Sequence, residues 1–143
     1  MKFPIQLEHL GEMMGYLRKR GKELRVPLKA IQKMELACEE AIVNIISYSS
    51  PSKGDALELS CDLLEETHFQ AVIRDRGRPF NPLEAPIDPQ NEIPVSERRI
   101  GGLGLYLIRK LIDEAVYIRA KEENVLRLTL RLEVPQEAEN RGL

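Results

Sequence analysis

Histidine and cysteine are scarce in this chain, two of each in 143 residues, and that scarcity removes whole classes of chemistry. His9 and His68 lie far apart at polar positions with no second ligand close in sequence, so a histidine base or a histidine-held metal has no support. Cys38 falls in a long apolar helix and Cys61 in a strand. Neither has metal-ligand spacing, and both read as small buried hydrophobes of a reducing compartment. No apolar run approaches the roughly 18 residues of a membrane-spanning helix, and the opening MKFPIQLEHLGEMM lacks the apolar centre of a signal peptide. A formal net charge of −2 offers no surplus with which to hold nucleic acid or an anionic membrane. No internal repeat is present. The expectation is a cytoplasmic protein of one domain, with 43% apolar and 31% charged residues enough to fold around a core.

What is present begins with LACEEAIVNIISYSS, residues 36–50. Leu36, Ile42, Val43, Ile45 and Ile46 give it the spacing and density of a core helix. Glu40 and Asn44, four apart, project from the same side one turn from each other. Burying a carboxylate and an amide costs free energy unless both find partners. Two readings stand at this point. Glu40 is half exposed and Asn44 caps a neighbouring loop, or Glu40 is a general base beside an amide oxygen able to ligate Mg²⁺.

Around this helix the pattern predicts a short strand over 3–7, at a sheet edge because of Pro4, then a helix over 8–24 with Leu10, Met13, Met14 and Leu17 on one face. Pro27 suits the start of the central helix, which runs to about Tyr48. Strands follow over 56–64 and 69–75, with a turn at 65–68. The pattern is then lost between Arg76 and Arg99, where five prolines stand. So long a loop reads either as a linker between subdomains or as a lid; too little chain follows for a second domain, which favours the lid. A helix with Leu105, Leu107, Ile108, Leu111 and Ile112 comes next. Strands over 114–120 and 125–134 close the chain, with Glu122, Glu123 and Asn124 as their turn. The fold class is therefore α+β, an α/β sandwich with helices layered on one face of a mixed sheet. The domain spans 1–135, its lid covers about 76–100, and a polar tail occupies 136–143.

Two further features carry chemistry. Asp75-Arg76-Gly77 ends a strand, where an aspartate accepts a hydrogen bond from the exocyclic amine of a purine and a glycine lets the ring approach the backbone. Alternatively Asp75 is a simple turn residue. The stretch Gly101-Gly102-Leu103-Gly104 precedes a helix, exposing backbone N–H groups to phosphate, or simply starting the helix. No Lys-Ser/Thr pair follows, so it is not a Walker A loop. No strand leads directly into it, so it is not the dinucleotide fingerprint either.

Taken together, EEAIVNII, IRDRGRPFNP and GGLGLYLIRKLIDEA resemble the N box and the two glycine boxes of the GHKL-type (Bergerat-fold) ATPases. Within them the chain is most similar to the anti-sigma-factor serine/threonine kinases, over roughly residues 31–132. The resemblance implies that Asn44 ligates an Mg²⁺ bridging the phosphates of ATP, and that Glu40 activates the attacking hydroxyl. It implies that Asp75 bonds the adenine amino group beside Gly77, that Gly101, Gly102, Leu103 and Gly104 contact phosphate, and that Arg98 or Arg99 clamps the γ-phosphate. It further implies a STAS-domain anti-anti-sigma protein as substrate, a sigma factor as the sequestered partner, and a homodimer. Tyr48 departs from the family's usual polar residue near the phosphates. The Asp-x-Gly box lacks a second glycine, leaving Pro79 and Phe80 to shape the base pocket. Glu39 lies five from Asn44 and faces away, so geometry selects Glu40 as the base. A kinase needs that base, whereas a nucleotide-sensing binding module does not.

Overall fold

The computed structural model describes residues 1–49, 55–84 and 104–133, with side chains left out over 104–107. Five strands form one sheet in the order β1-β2-β3-β5-β4: β1 Lys2–Pro4, β2 Ala56–Leu64, β3 His68–Asp75, β4 Glu114–Ala120 and β5 Glu123–Arg131. Every pairing among them is antiparallel, which corrects the expected mixed sheet. β2 with β3 and β4 with β5 are tight hairpins, and a hairpin between adjacent strands allows only antiparallel pairing. β3 and β5 then meet antiparallel because the helix at Gly104–Leu111 and the β4 strand return the chain before β5 pairs.

Alternation decides what the sheet buries. Leu57, Leu59 and Cys61 of β2 stand opposite Asp75, Ile73 and Ala71 of β3, which in turn meet Asn124, Leu126 and Leu128 of β5. All of these are buried, so one face of the sheet is continuously closed. Helices α1 (Leu10–Glu23) and α2 (Leu28–Tyr48) cover that face and pack on each other. Their buried positions, Met13, Leu17 and Gly21 on α1 and Ile31, Met34, Cys38, Ile42 and Ile45 on α2, recur every three or four residues. At Gly21 the two helices approach closely: a Cβ there would stand 2.7 Å from Ile31 Cγ1. A third helix, α3 (Gly104–Leu111), packs against α2 and against a short 3-10 turn at Pro82–Glu84.

Three expectations shift. The first strand stops at Pro4, and residues 7–9 form a 3-10 turn leading into α1, with Leu7 exposed. Leu36 is 49% exposed: nine residues from Ile45, it lies half a revolution round the helix from the core. The β4–β5 turn is Lys121-Glu122 rather than 122–124, both residues taking left-handed backbone angles (φ 51° and 63°). A two-residue turn with two positive φ values matches the twist of a hairpin, at a cost of about 1–2 kcal/mol per non-glycine residue. Asn124, a natural turn former, is thereby kept inside β5.

Candidate functional site

The site assembles from the C-terminal half of α2, the end of β3 and the start of β5. Glu40 is 5% exposed and Asn44 is fully buried, which rejects the half-exposed reading of Glu40. Asn44 Nδ2 makes only a long 3.5 Å contact to the Pro82 carbonyl. Among the described residues, Glu40 Oε2 and Asn44 Oδ1 have no hydrogen-bond partner. A buried polar atom left without a partner costs about 1–3 kcal/mol, and two of them one turn apart are acceptors that a donor or cation from outside the protein would satisfy. Burial, with the Glu39 charge adding to it, pushes the Glu40 carboxyl up from 4.5 to about 7.

Asp75, at the end of β3, is buried, and its Oδ1 accepts the Gly77 N–H (2.9 Å) and Asn124 Nδ2 (2.9 Å). Gly77 is favoured by closeness rather than by a special dihedral: a Cβ there would stand 3.0 Å from Asp75 Oδ1, so the carboxylate would have to give by a few tenths of an ångström. The loop after Asp75 is tied down on both sides. Arg119 of β4 donates to the Gly77 carbonyl (2.7 Å), and Arg78 donates to the Tyr48 carbonyl at the end of α2 (2.8 Å). The rings of Tyr48 and Phe80 lie 6.5 Å apart, so the two aromatics border the same loop.

The structure therefore brings Glu40, Asn44, Asp75 and Gly77 into one region, joined through the segment from Gly77 to Pro82. Gly104 is the first residue of α3, packed against α2. Arg98, Arg99, Gly101, Gly102 and Leu103 lie outside the described residues, as does most of the expected lid. His9 and His68 are half-exposed and bond only near neighbours, Glu12 and Thr67. Cys38 and Cys61 are buried free thiols, whose burial pushes the Cys61 thiol up to about 12.

Sequence reasoning missed Asn124, Tyr117 and Arg119. The signal for Asn124 was available: counting back by two from Leu130, Leu128 and Leu126 puts it on the buried face, where an amide needs a reason to be. Tyr117 and Arg119 follow from the same alternation on β4, opposite Leu126 and Asn124.

Among the described residues no cluster of three or more His, Cys, Asp or Glu could hold a metal by itself. A cation here would have Asn44 as its protein ligand and take further oxygens from a bound phosphate. That suits Mg²⁺, which uses one or two protein ligands together with substrate phosphates. A groove of about 1300 Å³ lies elsewhere, between the first turns of α2 and the end of β5, and shares no residue with this site. No helix among the described residues is long and apolar enough to cross a membrane.

Comparison with known proteins identifies the fold and the family. The chain is 28% identical to the serine-protein kinase RsbW of Oceanobacillus iheyensis, over 80% of this chain and 74% of that protein. It is 28% identical to the serine-protein kinase RsbW of Halalkalibacterium halodurans, over 99% of this chain and 86% of that protein. Among solved structures, the histidine kinase domain of the Erythrobacter litoralis blue-light activated histidine kinase shares the fold, with a TM-score of 0.53 at 14% identity over 84% of this chain. The longer form of that kinase gives a TM-score of 0.54 at 14% identity over 95% of this chain. This chain spans 61% and 43% of those two structures. The family described as histidine kinase-like ATPase domain matches residues 3–130, with the buried acid, amide and aspartate all inside the match, and the chain belongs to that family.

Proposed function

We propose that this chain is an ATP-dependent protein serine/threonine kinase that phosphorylates a STAS-domain antagonist and otherwise holds a sigma factor, acting in the cytoplasm as a homodimer. The observation that carries the reading is the pair of unpartnered buried oxygens, Glu40 Oε2 and Asn44 Oδ1, one turn apart on α2. Asn44 would hold Mg²⁺ together with the phosphates of ATP, and the cation would neutralise charge on those phosphates. Asp75, with Gly77 leaving room beside it, would take the amino group of adenine.

The residues of the chain divide the remaining work. Glu40 orients the acceptor hydroxyl and takes its proton as the hydroxyl oxygen bonds to the γ-phosphorus and the bond to the ADP oxygen breaks. A carboxyl poised at about 7 suits a base that works near neutral pH. Gly101, Gly102, Leu103 and Gly104 offer backbone N–H groups to phosphate, and Arg98 or Arg99 clamps the transferred group. The names of the RsbW relatives support the serine-kinase reading.

The test is phosphate transfer from labelled ATP to a serine-bearing STAS domain, comparing wild type with Glu40→Gln. Loss of a positioned base predicts a rate about 10²–10⁴-fold lower with nucleotide affinity kept. Nucleotide binding by the wild type without transfer to any STAS substrate would instead make the chain a nucleotide-sensing module.

A further inference from the structure

Asn124 is 4% exposed and uses its whole amide. Its Nδ2 donates to Asp75 Oδ1 (2.9 Å) and to the Arg78 carbonyl (2.9 Å). Its Oδ1 accepts the Phe80 N–H (3.3 Å) and the Tyr117 hydroxyl (2.5 Å). Two acceptors lie on the nitrogen side and two donors on the oxygen side, so the reversed amide would lose three of the four bonds, the Tyr117 hydroxyl alone being able to accept instead.

We infer that Asn124 is the positioning residue that sets base selectivity at this site, an inference that rests on Asp75 being the base-contacting group. Asp75 Oδ1 accepts from two N–H groups, those of Asn124 and Gly77. Two donors converging on one oxygen fix the carboxylate plane. That leaves Oδ2, which no donor among the described residues contacts, as a pure acceptor. An acceptor at that point attracts the 6-amino group of adenine and repels the 6-oxo group of hypoxanthine or guanine. The same amide pins Arg78 and Phe80, so the loop beside Asp75 cannot retreat to accommodate the wrong base. Tyr117 acts one step further out by holding the amide in its working orientation.

The test is calorimetric binding of ADP and of IDP, which differ at the 6-position, each with Mg²⁺, to wild type, Asn124→Ala and Tyr117→Phe. Wild type is expected to prefer ADP. Asn124→Ala is expected to lower the ADP-to-IDP preference about tenfold, one well-placed hydrogen bond's worth, and Tyr117→Phe to lower it by a smaller factor. A merely structural Asn124 would weaken both nucleotides alike and leave their ratio unchanged, which would overturn the inference. If Asn124→Ala fails to fold by circular dichroism, Tyr117→Phe decides: an unchanged ratio overturns the inference and a reduced one upholds it. A wild type that binds neither nucleotide fails differently, removing the nucleotide reading of the site and this inference with it.

Discussion

Glu40 and Asn44 are the costly residues of an otherwise apolar helix, and their cost is measurable without any ligand. Because burial lifts the Glu40 carboxyl from 4.5 to about 7, the folded protein binds that proton more tightly than the unfolded chain. The associated stability is complete below about pH 4.5 and is lost as pH rises through about 7. Glu40→Gln removes the ionisable group while keeping the shape. In the ligand-free protein it is therefore expected to raise stability by about 1–3 kcal/mol at pH 8 and by nothing at pH 4. Urea denaturation at the two pH values checks this. Parallel stability profiles for the two proteins would mean that Glu40 is ionised without penalty and is not held as a buried base. The gain in stability is expected to accompany the loss of transfer, the trade expected of a functional residue placed where packing alone would reject it.

At the scale of elements, α2 has one face for the core and another for solvent, and the structure separates apolar residues that look equivalent in sequence. Ile42→Ala is expected to cost about 2–5 kcal/mol, whereas Leu36→Ala, at 49% exposure, is expected to stay within about 0.5 kcal/mol. Equal losses in thermal or urea unfolding would return Leu36 to the core. The α1–α2 contact makes a second prediction. Alanine is worth up to about 1 kcal/mol over glycine inside a helix, but at Gly21 its Cβ would meet Ile31 at 2.7 Å, and Ile31 is 1% exposed with nowhere to go. Gly21→Ala is expected to destabilise by about 1 kcal/mol net and to become stabilising in an Ile31→Ala background. Additive effects in that double-mutant cycle would contradict the close approach. These elements show why the sequence is legible in parts. The strand at 56–64 alternates cleanly, and α2 is long and periodic, so both are readable from pattern alone, whereas in β4 Ile118 is exposed and Ala115 and Tyr117 pack on the core instead. The first strand is three residues long and Leu36 lies off the core stripe, where a bare count of apolar residues misleads. The β4–β5 turn misleads for a different reason: Lys121 and Glu122 accept left-handed backbone so that Asn124 can serve the site.

At the scale of the molecule, the site exists because two layers meet. The helix layer supplies Glu40 and Asn44, and the sheet supplies Asp75, Asn124, Tyr117 and Arg119. The segment from Gly77 to Pro82 stitches them together through Arg78 to Tyr48 and Asn44 to Pro82. Acid, amide and aspartate are readable in sequence because each belongs to a short motif. The supporting amide and the β4 side chains come from strands far along the chain, and only the register brings them to Asp75. The measurement that tests the central claim most directly is calorimetric binding of ADP with and without Mg²⁺, on wild type and on Asn44→Ala. Binding that requires Mg²⁺ and weakens on the order of 10–100-fold in the variant is the predicted result. Absence of binding, or binding indifferent both to Mg²⁺ and to Asn44, would contradict the account.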